Sequence, residues 1–221
     1  MEFRLLSDVP PDDVRALVAI SRRRSFAKGE VVFHRDDPGD SLHLVVKGSF
    51  AVRIMTPLGD TVTVAVRGPG HNFGEMALAD PDSRRSATVA ALQPSETLAV
   101  YYGDFERLRT QYPQIDRVLT AFLVGEIRRQ NDLLLDALYL PAERRILRRL
   151  AELADMYADR DGVIALTQEE LGQIAGANRT TVNRVLRQQE ELGTITLTRG
   201  KTRIVDHESL RSLAPRRLPR C

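Results

Sequence analysis

The sequence contains one cysteine, Cys221, no tryptophan and only 5% aromatic residues among its 221 positions. A single cysteine excludes an intrachain disulfide, a CxxC metal knuckle and a cysteine-ligated cluster. No run approaches the roughly 18 consecutive apolar residues of a membrane span. The N-terminal segment lacks the apolar core of a signal peptide. We therefore expect neither a membrane span nor a signal peptide. These absences fit a protein of the reducing cytoplasm that has no membrane partner.

Lysine is also scarce, because only Lys28, Lys47 and Lys201 occur among 32 basic residues. The net charge of +2 is small but unevenly distributed. Residues 141–221 hold 15 Lys and Arg against 11 Asp and Glu, a net charge of +4, and residues 1–140 hold 17 against 19, a net charge of −2. A basic C-terminal part favours nucleic acid as its partner.

The N-terminal half has the pattern of a β-rich domain. The 43% apolar and 28% charged residues are typical of a globular chain, and the length allows one large domain or two small ones. Residues 8–24 are predicted as a helix capped by Asp8. Residues 25–102 then show short alternating runs, such as Phe50–Ile54 and Thr61–Val66, separated by Gly, Asp and Pro. Closely spaced runs of this kind predict an antiparallel β-barrel or sandwich.

The apolar period becomes helical after Asp104. A short helix is predicted over residues 104–111, a long one over 114–138 and a further amphipathic one over Ala142–Ala158. The long helix carries a seam at 4-3 spacing, made of Leu123, Ile127, Gln130, Leu134 and Ala137. Either the seam packs on the barrel of its own chain, or it forms a coiled-coil homodimer with Gln130 as a polar register residue.

Residues 167–191 follow the pattern of a helix-turn-helix. Thr167 and Glu170 form a capping box, and the first helix ends before a turn at Gly176. Arginine and asparagine side chains at the start of the second helix can bond guanine and adenine, respectively. The DNA-binding candidates here are Thr167, Asn178, Arg179, Thr180, Thr181, Asn183 and Arg184. The alternative is an ordinary solvated helix face.

A predicted hairpin follows the second helix. Its strands, Thr194–Thr198 and Thr202–Val205, flank a basic tip that contains Arg199 and Lys201. Behind a helix-turn-helix such a hairpin forms a wing. We expect its basic tip to contact DNA phosphates, which set affinity and salt dependence rather than sequence preference.

The densest binding chemistry of the N-terminal half lies in residues 73–89. Gly74 opens a short helical turn with free N–H groups, and Arg85 and Ser86 lie ten and eleven residues after Glu75. An arginine, a hydroxyl and free N–H groups are what a singly charged phosphodiester requires. Glu75 would repel that phosphate, so it should accept a hydrogen bond from a sugar hydroxyl instead. The simpler interpretation is a Glu75–Arg85 ion pair across a loop.

Two segments carry a resemblance to a known family. The run FGEMALADPDSRRSATV resembles the phosphate-binding cassette of cyclic-nucleotide-binding domains, and TQEELGQIAGANRTTVNRVLRQQEELGTI resembles the winged helix-turn-helix of the CRP/FNR superfamily. The resemblance covers about residues 5–207 and implies an α+β fold. Its implied parts are an N-terminal antiparallel β-roll that binds cyclic nucleotides (residues 1–112), a long dimerisation helix and hinge (113–140) and a C-terminal winged helix-turn-helix (141–221).

The resemblance also implies a function: a homodimeric transcription regulator, not an enzyme, controlled by cAMP. Its implied partners are double-stranded DNA with palindromic half-sites and RNA polymerase. The residues it assigns to the nucleotide are Gly74, Glu75, Met76, Arg85, Ser86, Ala87, Gln130 and Asn131. Glu75 would accept from the ribose 2′-OH, while Arg85 and Ser86 would hold the cyclic phosphate.

Two positions depart from the family pattern. Gln130 stands where many cAMP receptors have threonine, which leaves cGMP, another ligand or a constitutive DNA binder as alternatives. Thr180 stands where the family often has a glutamate that accepts from cytosine.

Other functions are also open as alternatives. One is a haem sensor, which would need axial ligands from the four histidines. Another is a regulatory subunit or an enzyme that uses the nucleotide domain as a module. No catalytic nucleophile–base set is visible.

Overall fold

The computed structural model describes residues 10–56, 59, 61–80, 82–157, 162–164, 166–198 and 200–213. Two compact units make up the chain. The first contains residues up to 61 and 65–131, and the second contains 62–64 and the residues from 132 onward. No helix in the described part of the chain combines the length and the apolarity that a bilayer crossing requires.

The first unit is built on two four-stranded antiparallel sheets. Its strands are β1 (Arg22–Phe26), β2 (Val31–Phe33), β3 (Ser41–Lys47), β4 (Phe50–Met55), β5 (Thr61–Arg67), β6 (Asn72–Phe73), β7 (Thr88–Ala91) and β8 (Ser95–Tyr101). The strand orders are β1-β8-β3-β6 in one sheet and β2-β7-β4-β5 in the other. Inward side chains of both sheets, including Phe26, Phe50 and Phe73, form one apolar cluster. This arrangement confirms the predicted antiparallel β-roll.

The start of the chain differs from its prediction. Helix α1 covers only Pro11–Ala19, and Arg22, Arg23 and Arg24 belong to β1, so the predicted helix over 8–24 is too long. Asp8, the predicted cap, lies outside the described residues. The helix ends because the next residues pair with β8 from Arg22↔Ala99 to Phe26↔Ser95, and a ladder of backbone bonds overrides local helical spacing.

Helices pack against the first sheet and lead into the long helix. They are α2 (Met76–Ala79), α3 (Tyr102–Gln111), a 3₁₀ turn (Pro113–Ile115) and α4 (Asp116–Tyr139). A second apolar cluster lies on the other side of this sheet. It contains side chains of β3 and β8 that alternate with the barrel-facing ones, together with helix residues: Leu42, Leu44, Val100, Phe105 and Phe122. This cluster fixes the N-terminal half of α4 on the β-roll.

A different face of α4 is exposed. Leu123, which was predicted on the seam, packs instead against the core of its own unit. The exposed apolar residues of α4 are Val124, Ile127, Leu134, Leu135, Leu138 and Tyr139. Positions 124, 127, 131, 134 and 138 form a 3-4 stripe with Asn131 at its centre, one position away from the predicted Gln130.

The second unit is helical with a small sheet. Its elements are α5 (Ala142–Tyr157), β9 (Val163–Ile164), α6 (Gln168–Ala175), α7 (Arg179–Glu191), β10 (Ile195–Thr198), β11 (Lys201–Ile204) and α8 (His207–Leu213). The antiparallel sheet has the order β10-β11-β9. The helix-turn-helix α6–α7 followed by the hairpin β10–β11 confirms the predicted winged helix-turn-helix.

An ion cluster lies within the second unit, between the end of α4 and α5. The side chain of Asp136 is 4% exposed, and its two oxygens accept from Arg148 at 2.6 Å and Arg149 at 2.5 Å. Arg149 also donates to Glu152 at 2.6 Å. Because both carboxylate oxygens are paired, the buried charge of Asp136 is compensated.

Candidate functional site

The first candidate site centres on the approach of Gly74 to Arg85. Gly74 has φ +81°, a conformation that favours glycine. A Cβ at this position would lie 2.7 Å from the guanidinium of Arg85 and 2.8 Å from the carbonyl oxygen of Ser41. Any side chain at position 74 would therefore displace Arg85, which explains why the turn before α2 requires glycine.

Arg85 is buried and held from several sides. Its Nη1 donates to the carbonyl oxygen of Ser41 at 2.7 Å, and its Nη2 donates to Asp40 Oδ1 at 2.8 Å. Its guanidinium carbon lies 4.0 Å from the centre of the Phe33 ring. Burial lowers the pKa of Arg85, and the carboxylate of Asp40 opposes that effect. The side chain is a preorganised cation, since arginine stays protonated in proteins.

One donor of this cation is left over. The Nε of Arg85 is buried and has no hydrogen-bond partner within the described residues. Next to it in sequence, Ser86 is exposed and Ala87 is buried. An unpaired buried donor is costly, so the site is suited to an anionic acceptor such as a phosphodiester. Met76, another predicted contact, is 49% exposed at the start of α2.

The alternative of a Glu75–Arg85 ion pair is wrong, because Arg85 pairs with Asp40. Glu75 instead accepts from Asn72 Nδ2 at 3.2 Å. Burial raises the pKa of Glu75, while its own backbone N–H and the charge of Arg67 act in the opposite direction. Its carboxyl group is half-buried and does not contact Arg85, and its role as an acceptor for a sugar hydroxyl stays a prediction.

Gln130 and Asn131 lie on α4 and are both exposed. Gln130 forms a side-chain hydrogen bond with Glu126, which in turn accepts from Arg67 Nη2 at 2.9 Å. Burial opposes ionisation of Glu126, yet hydrogen bonding to Arg129 and the charges of both arginines lower its pKa to about 2. Gln130 is therefore attached to a charged network that joins β5 to α4.

A cavity of about 350 Å³ opens beside Arg85 and is lined by Arg24, Phe33, Asp40, His43 and Tyr101, among others. The ring of His43 stacks on Phe73, with its nitrogens 3.3 Å from Ser41 Oγ and 3.0 Å from Thr97 Oγ1. Burial, followed by the charge of Arg85, lowers the pKa of His43 to about 3, so His43 is neutral at physiological pH. Both ring nitrogens of His43 are thus engaged by hydroxyl groups, which indicates a structural role for His43 rather than that of a haem ligand.

The second candidate site is the helix-turn-helix, whose local geometry follows its predicted signals. Thr167 Oγ1 accepts from the Glu170 N–H, and the Thr167 N–H donates to the Glu170 carboxylate, which completes the capping box. Gly176 adopts a left-handed conformation with φ +60°. A Cβ at Gly172 would lie 2.6 Å from the Ala177 carbonyl oxygen, so the turn also requires glycine there.

The second helix begins at an Asn cap. Asn178 Oδ1 accepts from the backbone N–H of Thr181 at 2.8 Å and from its hydroxyl at 2.9 Å. Asn178 and Thr181 therefore fix the start of α7. Thr180 between them is exposed.

A groove of about 590 Å³ lies between α6, α7 and the wing strands. Four of the predicted DNA contacts line this groove: Thr167, Arg179, Asn183 and Lys201. Arg184 is not among the lining residues, and its guanidinium donates to Glu143 at 2.6 Å. Arg199, predicted at the tip of the wing, lies outside the described residues.

Sequence reasoning missed four residues of these sites. Asp40 and Ser41 hold Arg85 from 45 and 44 residues away. Gln168 and Arg187 line the groove of the second unit. Arg187 follows Asn183 by four residues on the same helix, a spacing that could have indicated it.

Family models match both units. Residues 23–112 match the model of the cyclic nucleotide-binding domain, and residues 144–213 match the model of the Crp-like helix-turn-helix domain. Together they define a protein that joins a nucleotide-binding β-roll to a DNA-binding winged helix.

Curated relatives match over nearly the full chain. The CRP-like cAMP-activated global transcriptional regulator of Mycobacterium tuberculosis is 30% identical over 93% of this chain and 94% of its own length. The cyclic AMP receptor protein of Thermus thermophilus is 32% identical over 95% of this chain and 96% of its own length. The chain therefore belongs to the CRP family of transcription regulators. This membership confirms the prediction that it is not an enzyme.

A solved structure agrees with the fold. FixK2 from Bradyrhizobium japonicum superposes with a TM-score of 0.73 over 88% of this chain and 98% of its own, at 22% identity. At that identity the comparison supports the architecture alone.

Proposed function

We propose that this chain is a homodimeric transcription regulator whose affinity for DNA is controlled by a cyclic nucleotide, with cAMP as the effector. The observation that carries the proposal is the buried cation Arg85, positioned by Gly74 and left with one unpaired donor. The names of two relatives as cAMP-responsive proteins support cAMP in particular. As a DNA-bound regulator, the protein would act in the cytoplasm.

In this proposal Arg85 and Ser86 hold the cyclic phosphate, helped by the N–H groups near Gly74 and Ala87. Glu75 accepts from the ribose hydroxyl, because its carboxyl group faces a neutral amide rather than Arg85. Gln130 and Asn131 supply exposed amides that can bond a purine edge. Met76 covers part of the ligand with its thioether side chain.

A constitutive DNA binder is the second candidate, and one observation favours it. Asp40 already neutralises Arg85 at 2.8 Å, so the arginine has a carboxylate partner without any ligand. However, the side chain of Asp40 is 67% exposed. Water competes with Arg85 for that carboxylate, and such solvation weakens an ion pair. The pairing is therefore compatible with displacement by a phosphate.

The homodimer is expected to form through the exposed stripe of α4. Ile127 is 59% exposed, Leu134 57% and Leu138 65%, and their 3-4 spacing matches a coiled-coil interface. A polar Asn131 at the centre of such an interface would fix its register.

Leu134→Asp should weaken this dimer at least about tenfold, because a C₂ interface would bring two buried carboxylates together. Analytical ultracentrifugation at micromolar concentration should show the wild type near 50 kDa, twice the 24.8 kDa chain. Val205→Asp is the matched control, since Val205 is equally apolar and 59% exposed but lies outside α4. A monomeric wild type would reject the dimer.

For DNA, we propose that α7 enters the major groove of palindromic half-sites about 34 Å apart, with one helix from each subunit. Arg179, Thr180 and Asn183 would face bases, and Arg184 would join them on release from Glu143. Lys201 and Arg199 of the wing would contact phosphates, together with the capped helix ends at Thr167, Asn178 and Thr181. RNA polymerase is the proposed downstream partner.

The switch is tested by measuring operator affinity with and without saturating cAMP. Ligand coupling of about 1–3 kcal/mol predicts about 5–150-fold tighter operator binding with cAMP. The double substitution Gln130→Ala with Asn131→Ala should reduce this enhancement more than it reduces basal DNA affinity. It removes the two amides proposed to bond the purine and the contact of Gln130 with Glu126.

Two checks complete that experiment. Linkage requires operator DNA to tighten cAMP binding by the same factor. Arg128→Ala, an exposed change on the same helix, should leave the enhancement intact. Equal operator affinity with and without cAMP would reject the switch and favour the constitutive candidate.

A further inference from the structure

Two side-chain amides meet on the groove side of the helix-turn-helix. Asn183 of α7 donates from Nδ2 to Oε1 of Gln168, the first residue of α6, at 3.2 Å. Both residues line the groove of about 590 Å³ between the two helices and the wing strands. The sequence predicts Asn183 as a contact to bases and assigns no role to Gln168.

We propose that Gln168 positions Asn183 for the recognition of adenine, so that the two amides together form one base-reading unit. The inference rests on the proposed DNA-binding function and specifies part of it. Gln168 is a positioning residue here, because it acts on the base through Asn183.

The hydrogen-bonding capacity of the pair fits this role. An asparagine amide carries two N–H donors and one carbonyl acceptor. The bond to Gln168 uses one N–H of Asn183 and leaves one donor and Oδ1. Bidentate recognition of adenine needs one donor for N7 and one acceptor for the N6 amino group. Gln168 therefore fixes which way the amide faces without using either group that adenine requires.

Capping hydrogen bonds fix the helix starts on which the pair lies. Gln168 directly follows Thr167, whose capping box with Glu170 fixes the start of α6. Asn183 lies in the second turn of α7, whose start is fixed by the Asn178 cap. An exposed amide without a partner would lose rotamer freedom on binding DNA, and preorganisation reduces that cost. The bond to Gln168 supplies such preorganisation.

Neighbouring side chains leave adenine readout to Asn183. Thr180 has a short hydroxyl that cannot form the two-point contact of an amide. The guanidinium of Arg184 is bonded to Glu143, and arginine prefers guanine in any case. Unlike Thr180 and Arg184, Asn183 carries a donor and an acceptor in one plane, as the two-point contact with adenine requires.

The test begins with the full-length wild type, which selects sites from a pool of random duplexes with and without saturating cAMP. Affinities are then measured on duplexes that carry each of the four base pairs at every position of the selected half-site. We expect one position at which the wild type prefers an A·T pair by about 5–150-fold.

Four variants are compared on this panel. Asn183→Ala should bring the preference at that position close to unity. Gln168→Met should clearly reduce the preference, since methionine keeps the length of glutamine but accepts no comparable hydrogen bond. Gln168→Glu keeps the acceptor for Asn183, so it should retain the preference while binding all sequences more weakly through phosphate repulsion. Lys201→Ala is the control, with uniform weakening and unchanged preferences.

The outcomes separate the inference from the proposed function. If Gln168→Met weakens binding to all four base pairs equally, Gln168 is only a phosphate contact and the inference is overturned. Retention of the A·T preference by Asn183→Ala also overturns it, with DNA binding intact. If the wild type enriches no sequence under either condition, the proposed function fails and the inference fails with it. Thermal melting of each variant should match the wild type, because both side chains lie at the surface of the groove.

Discussion

Asp136→Asn is expected to destabilise the second unit by about 3–5 kcal/mol, the usual cost of removing one partner from a buried ion pair. The reason is local. Asp136 is nearly inaccessible, and its carboxylate compensates both Arg148 and Arg149, whose side chains are only 13% and 9% exposed. With asparagine at this position, Glu152 would be left to face two positive charges from a more solvated position.

Hydrogen exchange of the backbone amides of α5 is the suitable measurement, because it reports the free energy of opening for that helix. The amides of Ile146 and Leu150, whose side chains are fully buried, should exchange at least about a hundredfold faster in the variant. Glu143→Gln is the matched control. Its pair with Arg184 is exposed on both sides, so its loss should cost no more than about 1 kcal/mol. An equally small change in Asp136→Asn would show that the ion cluster is hydrated.

The β-roll and the winged helix were predictable because their signals are local. Turn residues such as Gly48, with φ +84°, punctuate the strands, and Thr167 and Asn178 mark the start of two helices by side-chain caps. The strand β1 was missed because three consecutive arginines have no alternating pattern. Its conformation comes from pairing with β8, whose residues follow their β1 partners by 69 to 77 positions.

The partners of the site residues were less predictable than the residues themselves. Arg85 could be identified from its neighbours Gly74 and Ser86, but its pairing with Asp40 depends on a loop 45 residues earlier in the chain. The spacing of Glu75 and Arg85 equally suggested an ion pair that the fold does not form. The register of the α4 stripe was also ambiguous, because only packing shows that Leu123 is covered and Leu138 is exposed.

Arg85→Leu is expected to reduce cAMP affinity by roughly a hundredfold or more. Hydrogen bonds to charged groups contribute about 1.5–3 kcal/mol, and a phosphate left unpaired in a closed site loses at least that much. Leucine can offer neither the charge nor the unpaired Nε donor that is buried in the wild type. Isothermal titration calorimetry with cAMP and with cGMP measures the loss and also the purine preference.

Three companion variants make the result specific to the guanidinium. Arg84→Leu changes the adjacent arginine, which is exposed and donates to the Asp36 carbonyl oxygen, and it should leave affinity unchanged. Ser86→Ala should cost about 0.5–1.5 kcal/mol, the value of one hydrogen bond. Arg85→Lys retains the charge without the planar fork, so its affinity should fall between those of the wild type and Arg85→Leu. It also serves as the test if leucine prevents folding, which circular dichroism would reveal. Binding of cAMP by Arg85→Leu as tight as that of the wild type would show that the phosphate is held elsewhere.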